Sequence, residues 1–207
     1  YNDDEGVKRV HCGQGEQIEE FEKALHEELP SLARIDEMRK TELEGAKFDD
    51  FQIVASKSAK KHAPILPDFA LCQDCEREFY DPADPRYHYP FINCTNCGPR
   101  FSIIKSLPYD RANTTMRAFK MCEFCGGEYK NPLNRRYHAQ PVSCPNCGPR
   151  LALKDKFGRV LAQGNESTKQ AARLINEGKI LAVKGLGGFH LMCRLEERTV
   201  GLLRERK

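Results

Sequence analysis

The sequence predicts an α+β multidomain chain: part of a ferredoxin-like α/β sandwich, two tandem four-cysteine modules, and the start of a further α/β domain. Three observations predict it. Eight of the ten cysteines form two copies of one pattern, Cys72-x2-Cys75 with Cys94-x2-Cys97 and Cys122-x2-Cys125 with Cys144-x2-Cys147. Eighteen residues separate the CxxC pairs within each copy, and the copies stand fifty residues apart. On either side, apolar residues at helical spacing alternate with short apolar runs, the grammar of mixed α/β packing.

Residues 1–57 carry the first α/β grammar. Gly6 to Gly13 reads as a strand entered from a turn at Asn2 to Gly6. Glu16 to Leu29 places Ile18, Phe21, Ala24 and Leu25 at helical spacing, and Pro30 stops that helix. Ala33 to Leu43 and Phe48 to Ser56 alternate as strands do. Strand, helix, strand, strand is most of one half of a ferredoxin-like sandwich, without its first half.

Residues 58–66 form a polar linker, followed by module 1 over 67–110 and module 2 over 111–155. Both modules are rich in Pro, Asn, Asp and Arg and poor in long apolar runs, so a core alone cannot hold them. Four soft thiolates held in pairs by tight turns suit tetrahedral zinc, and a structural zinc contributes on the order of 10 kcal/mol to folding. The expected ligands are Cys72, Cys75, Cys94, Cys97, Cys122, Cys125, Cys144 and Cys147: two zinc modules, each with no coordination position left for water and so structural rather than catalytic. The CxxC pairs could share an ion within a copy or across copies. His88 and His138 stand at equivalent places and could each replace a cysteine; packing or hydrogen bonding beside the ligands is the favoured reading. Pro145 stiffens the second knuckle, and Gly148 lets backbone N–H groups approach the thiolates. Arg100 and Arg150 each follow a knuckle and could grip an anionic ligand; the favoured reading is a solvated charge anchoring a module to its neighbour.

The duplication extends beyond the ligands. Glu78, Pro82, Arg86, Tyr87, His88 and Cys97 to Arg100 recur as Glu128, Pro132, Arg136, Tyr137, His138 and Cys147 to Arg150, so a whole small fold is repeated. Between the copies, a short helix is expected to begin near Thr114. Residues 160–207 open the last α/β segment. Ser167 to Gly178 reads as a helix with Ser167 or Thr168 as N-cap, Ala171, Leu174 and Ile175 on one face, and Gly178 past its end. Lys179 to Lys184 reads as a short buried strand, Gly185 to His190 as a glycine-rich turn, and Leu195 to Lys207 as a helix.

Charged residues make up 30% of the chain and mean hydropathy is −0.64. No apolar run approaches the roughly 18 residues of a membrane helix, and no signal peptide opens the sequence. Paired CxxC motifs in such a chain read as metal sites in a reducing cytoplasm rather than disulfides. Cys12 and Cys193 stand alone as ordinary small apolar residues. A net charge of +3 neither demands nor excludes a polyanionic partner; it is the lack of a basic stripe interleaved by aromatics that argues against nucleic-acid binding. Both ends, Tyr1 and Lys207, read as cuts through a longer protein.

These residues resemble the HypF family of hydrogenase maturation carbamoyltransferases. The string from Cys72 to Arg100, its repeat from Cys122 to Arg150 and the connecting LPYDRANTTM segment resemble that family's tandem finger region. Residues 1–57, including Pro30 to Ile35, look like the second half of its acylphosphatase-like domain. Ala182 to Leu191 look like the start of its YrdC-like nucleotide-binding domain.

The resemblance implies that carbamoyl phosphate and ATP give a carbamoyl-adenylate. The carbamoyl group then passes to the C-terminal cysteine of a HypE-like partner, on the way to the cyanide ligands of NiFe-hydrogenase. It implies a catalytic Asn2 that orients water at the acylphosphatase-like site. The family's phosphate-gripping arginine loop would precede residue 1, so this piece alone is expected to be inactive. For the nucleotide it implies Lys184, Gly185, Gly187, Gly188, His190, Arg204, Arg206 and Lys207. The zinc modules would serve as a rigid spacer between active sites. Where the family usually has Ala-Cys-Asp, this chain reads Met192-Cys193-Arg194, which removes an acid from that spot. The competing reading is a zinc-stabilised protein- or nucleic-acid-binding module without catalysis; the absence of CxxCxGxG glycines from the knuckles argues against it.

Overall fold

The computed structural model of the chain describes residues 2–3, 6–29, 32–45, 48 and 65–206. Pro30, the expected strand from Phe48 to Ser56 apart from its first residue, linker residues 58–64 and Lys207 lie outside the described residues. At the N-terminal end β1 (Asn2–Asp3) pairs antiparallel with β2 (Gly6–Val7), Asn2 opposite Val7. The strand expected to run to Gly13 ends at Val7, because alternation makes a strand only where a ladder partner and a face to bury exist, and residues 8–14 are exposed. Helix α1 (Gly15–Glu27) forms as expected, its first turn closed by the Gln17 side chain accepting from the Gln14 N–H at 3.0 Å. Residues 33–45 show no strand, for the same want of a partner among the described residues.

Each module opens with a helix that the CxxC spacing hid: α2 (Gln73–Tyr80) and α3 (Glu123–Lys130). Cys72 and Cys122 occupy the N-cap positions, with Cys75 and Cys125 in the first turn. Unsatisfied helix N–H groups gather there, where anionic thiolates are favoured. Pro82 and Pro132 prevent either helix from continuing. The chain then turns through side-chain-capped bends: Asp84 Oδ1 accepts from the Arg86 N–H at 2.7 Å, and Asn134 Oδ1 from the Arg136 N–H at 2.8 Å. Each turn closes on a histidine in the left-handed region, His88 at φ 53° and His138 at φ 52°. Their N–H groups donate to the Phe79 and Tyr129 carbonyls at 2.9 and 3.0 Å.

Between the modules run two 3-10 turns, Arg111–Asn113 and Thr115–Ala118. The second is the short helix expected near Thr114, in tighter form, with Thr114 Oγ1 accepting from the Met116 N–H at 3.1 Å. The bulged hairpin β3 (Ala152–Lys154) and β4 (Val160–Gln163) follows, with α4 (Gly164–Asn176) packed on it. Helix α4 starts three residues before the expected cap. Ser167 lies inside its first turn and donates to the Gly164 carbonyl at 2.6 Å instead of capping. At the other end Gly178, at φ 77°, donates to the Ile175 carbonyl and Lys179 to that of Leu174, a Schellman closure as the sequence suggested.

The last hairpin joins β5 (Leu181–Lys184) to β6 (Phe189–Met192) through the glycine-rich turn, followed by α5 (Glu197–Arg206). Strand β5 is largely exposed rather than buried, because this two-stranded sheet leaves a face uncovered by other described residues. The most deeply buried apolar clusters lie in the modules and are built on the cysteines: Cys75, Cys94 and Cys97 with Tyr89 and Ile92, and Cys125 and Cys144 with Ala139 and Val142. Among the described residues no helix is long and apolar enough to cross a membrane.

Candidate metal centres

Helix α2 and the following knuckle bring Cys72, Cys75, Cys94 and Cys97 together, and α3 with its knuckle does the same for Cys122, Cys125, Cys144 and Cys147. Within each quartet every sulfur lies within 4.8 Å of the others. Neither His88 nor His138 joins a quartet. His88 packs against Phe79, Tyr80 and Tyr87, and His138 against Tyr129 and Tyr137.

Sulfur spacing tests the fit to zinc. A tetrahedron of about 2.3 Å Zn–S bonds has S···S edges of about 3.8 Å. The first quartet shows 3.7 Å for Cys72–Cys94 and 3.8 Å for Cys94–Cys97. The second shows 3.7 Å for Cys122–Cys144 and Cys144–Cys147, and 3.6 Å for Cys147–Cys125. All ten cysteines are free of disulfides. Both quartets therefore fit a zinc ion, with four thiolates filling its coordination and leaving it a structural role.

Packed this closely, the thiols compete for protons. Hydrogen bonding with Cys94 and Cys97 pushes Cys75 far up, while bonds from Cys75 and Cys94 hold Cys97 down at about 3. In the second quartet burial pushes Cys125 and Cys144 up. Burial acts on Cys147 too, but backbone groups at Cys122 and Cys144 outweigh it and lower that thiol to about 7. A bound divalent ion would displace the remaining protons.

Around the quartets the modules exchange arginines. Arg86, on the module 1 turn, is 1% exposed and reaches into module 2. Its Nε donates to the Ser143 carbonyl at 2.9 Å, one terminal nitrogen donates to Cys125 Sγ at 3.4 Å, and the fork pairs with Glu128. Arg136, fifty residues on, makes the mirror journey, its Nε donating to the Asn93 carbonyl at 3.0 Å and its fork pairing with Glu78. Next to it Arg135 donates to Cys75 Sγ at 3.0 Å and also pairs with Glu78. Residue 78 thus serves module 2's arginines and residue 128 module 1's, a self-complementary arrangement of the two-fold kind. Arg136 also reaches Glu128 at 3.2 Å, joining both halves into one charged network.

Sequence reasoning saw these residues recur but gave them no role. The recurrence of Glu78 and Arg86 at a fixed interval was the available signal; Arg135 had none, since Pro85 stands at its counterpart. Arg100 corrects another expectation. It is buried, and it folds back onto its own knuckle, donating to the Cys94, Thr95, Cys97 and Pro99 carbonyls at 2.7–3.2 Å. Arg150 is solvated as expected, yet it too grips its own knuckle, at the Pro145 and Asn146 carbonyls, rather than a neighbouring module. Both loops present carbonyls that a guanidinium fork closes.

The other predicted residues lie apart from these centres. Asn2 belongs to β1, and its side chain is outside the description. Lys184, Gly185, Gly187, Gly188 and His190 gather at the tip of the β5–β6 hairpin, where the Gly185 N–H donates to the Gly188 carbonyl at 2.7 Å and the His190 ring lies over Gly185. Arg206 instead lines a hollow with Ile180, Ala182, Leu191 and Leu203, and Arg204 is exposed on α5. Arg194, where the resemblance would put an acid, donates to the Asn176 carbonyl at 3.1 Å and pairs with Glu196. Cys12, expected to be an ordinary apolar residue, is exposed.

Comparison with known proteins agrees with this geometry. Residues 71–104 and 121–154 match the HypF finger family. The whole chain is 49% identical to the carbamoyltransferase HypF of Synechocystis sp., covering 27% of that protein. Over 94% of its length it is 52% identical to the probable carbamoyltransferase HypF of Methanocaldococcus jannaschii, covering 26% of it. Among solved structures, the T. kodakarensis HypF crystal structure superposes with a TM-score of 0.81 at 48% identity, over 97% of this chain and 25% of that one. Full-length HypF in its phosphate- and nucleotide-bound form gives 0.78 at 46% identity, over 94% and 25%. The chain therefore resembles HypF from end to end and spans about a quarter of the length of these relatives.

Proposed function

We propose that this chain, with its two HypF fingers, is the finger-bearing section of a carbamoyltransferase of NiFe-hydrogenase maturation. The observation that carries the reading is the coincidence of both finger matches with 49% identity along all 207 residues. In this reading the full-length protein takes carbamoyl phosphate and ATP to a carbamoyl-adenylate. It then carbamoylates the C-terminal cysteine of a HypE-like partner in a reducing cytoplasm.

Roles within the section follow. Zinc held by the two cysteine quartets supplies a rigid fold and no chemistry, since four thiolates saturate it. The modules then brace an acylphosphatase-like segment on one side against a YrdC-like nucleotide-binding segment on the other. Asn2 orients water for attack on the acyl phosphate. The hairpin tip from Lys184 to Gly188 offers backbone N–H groups and a cation to phosphates, with His190 beside it, and Arg204, Arg206 and Lys207 add positive charge.

Carbamoyl-phosphate-dependent exchange of pyrophosphate into ATP by the full-length protein tests the reading. Exchange that needs carbamoyl phosphate and falls at least about tenfold in Lys184→Ala supports it. Exchange indifferent to carbamoyl phosphate overturns the carbamoyltransferase assignment.

A further inference from the structure

We infer that the two metal centres are coupled through the arginines each module lends to the other, so that they load and release metal as one unit. The inference rests on the reading of both quartets as zinc sites.

The connection is continuous in the chain. Cys75 sits in α2, Glu78 follows three residues later, and the capped turn after the helix delivers Arg86 onto Cys125, Glu128 and Ser143 of module 2. In the reverse direction Cys125 and Glu128 sit in α3, and the equivalent turn delivers Arg135 and Arg136 onto Cys75, Glu78 and Asn93 of module 1. A metal that organises one helix therefore also sets the turn whose guanidinium serves the other quartet.

Charge makes this exchange matter. A divalent ion with four thiolates carries a net double negative charge, and a buried guanidinium from the partner module offsets part of it. Loss of metal from module 1 releases α2 and its turn. Withdrawal of Arg86 would then leave Cys125 without its guanidinium donor and Glu128 without one of its counter-charges. Removing partners that hydrogen-bond metal ligands lowers affinity by about 10–100-fold. Such coupling is reciprocal: each ion must favour the other by the same factor.

Native mass spectrometry of the chain under limiting chelator, with alkylation and peptide mapping of the freed cysteines, tests the inference. The expected wild-type pattern is two-zinc and metal-free species, with the one-zinc species well below its statistical share. Arg86→Gln keeps all eight ligands yet should release zinc from Cys122, Cys125, Cys144 and Cys147 about tenfold faster. Disabling the first centre with Cys94→Ser and Cys97→Ser should weaken zinc at the second by a similar factor. A statistical one-zinc share in the wild type, or Arg86→Gln loosening only its own module, overturns the coupling. A chain that holds no zinc at all overturns the metal reading and the coupling together, whereas two ions leaving independently overturn only the coupling.

Discussion

A side chain at Gly148 would meet the Tyr89 hydroxyl and, at 2.5 Å, the Ser143 Cβ. The glycine is required because Tyr89 crosses from module 1 to donate to the Pro149 carbonyl at 3.0 Å and to bond the Ser143 hydroxyl at 3.2 Å. We predict that Gly148→Ala costs about 1–3 kcal/mol by overpacking, read as a lowered Tm. Adding Tyr89→Phe should recover part of that loss, since it removes the offending oxygen; strictly additive losses would show that the two sites do not meet. Glu78 gives a pH prediction. Burial raises its pKa, but pairing with Arg136 and Arg135 more than offsets this and holds it below the usual carboxylate value. A lowered folded pKa makes the pairing's contribution full above the unfolded value of about 4.3, and lost as pH falls through the folded one. The stability gap between wild type and Glu78→Gln should therefore be about 1–3 kcal/mol at pH 7 and shrink toward zero in acid, as followed by denaturant titration. A gap that stays constant with pH would assign Glu78 a packing role.

Helices α2 and α3 are eight residues each, too short to persist without tertiary anchors, whereas α1 and α4 run to thirteen. Chelation should therefore remove α2 and α3 from the helical circular dichroism signal while α1 and α4 persist, and restored zinc should bring them back. Full helicity in excess chelator would contradict metal-dependent folding of the modules. These elements were hard to read from sequence because α3 contains Gly126 and Gly127, and α2 offers only Cys75 and Phe79 as an apolar pair; the cysteine spacing announced a turn and masked the helix behind it. The β3–β4 hairpin did leave a sign. Asp155 Oδ1 accepts from the Phe157 and Arg159 N–H groups, and Gly158 stands at φ 85°. Ala33 to Leu43 failed the other way, showing alternation with no ladder to join among the described residues. Helix α4 was legible through Leu174, Ile175 and the terminal Gly178. With that glycine at φ 77°, Gly178→Ala should cost about 1–2 kcal/mol, measurable as a lowered midpoint of denaturation.

Across the whole molecule, the ligand quartets were readable because coordination chemistry fixes them locally, four sulfurs to an ion. The docking of one module on the other was not. Arg86 and Arg136 announced themselves by recurring, but a side chain's destination depends on how two folded bodies meet, and no spacing rule encodes that. Intact-mass measurement should find two zinc ions per chain, and fewer would place at least one quartet outside the metal reading. The exchanged arms have one more consequence. Each repeat carries both a hook, Arg86 or Arg136, and an eye, Glu78 or Glu128 respectively, so a half freed from its twin would be self-matching and would find a mate only at sufficient concentration. Fusion of the two in a single polypeptide makes that meeting intramolecular, and the clasp stays shut at any dilution.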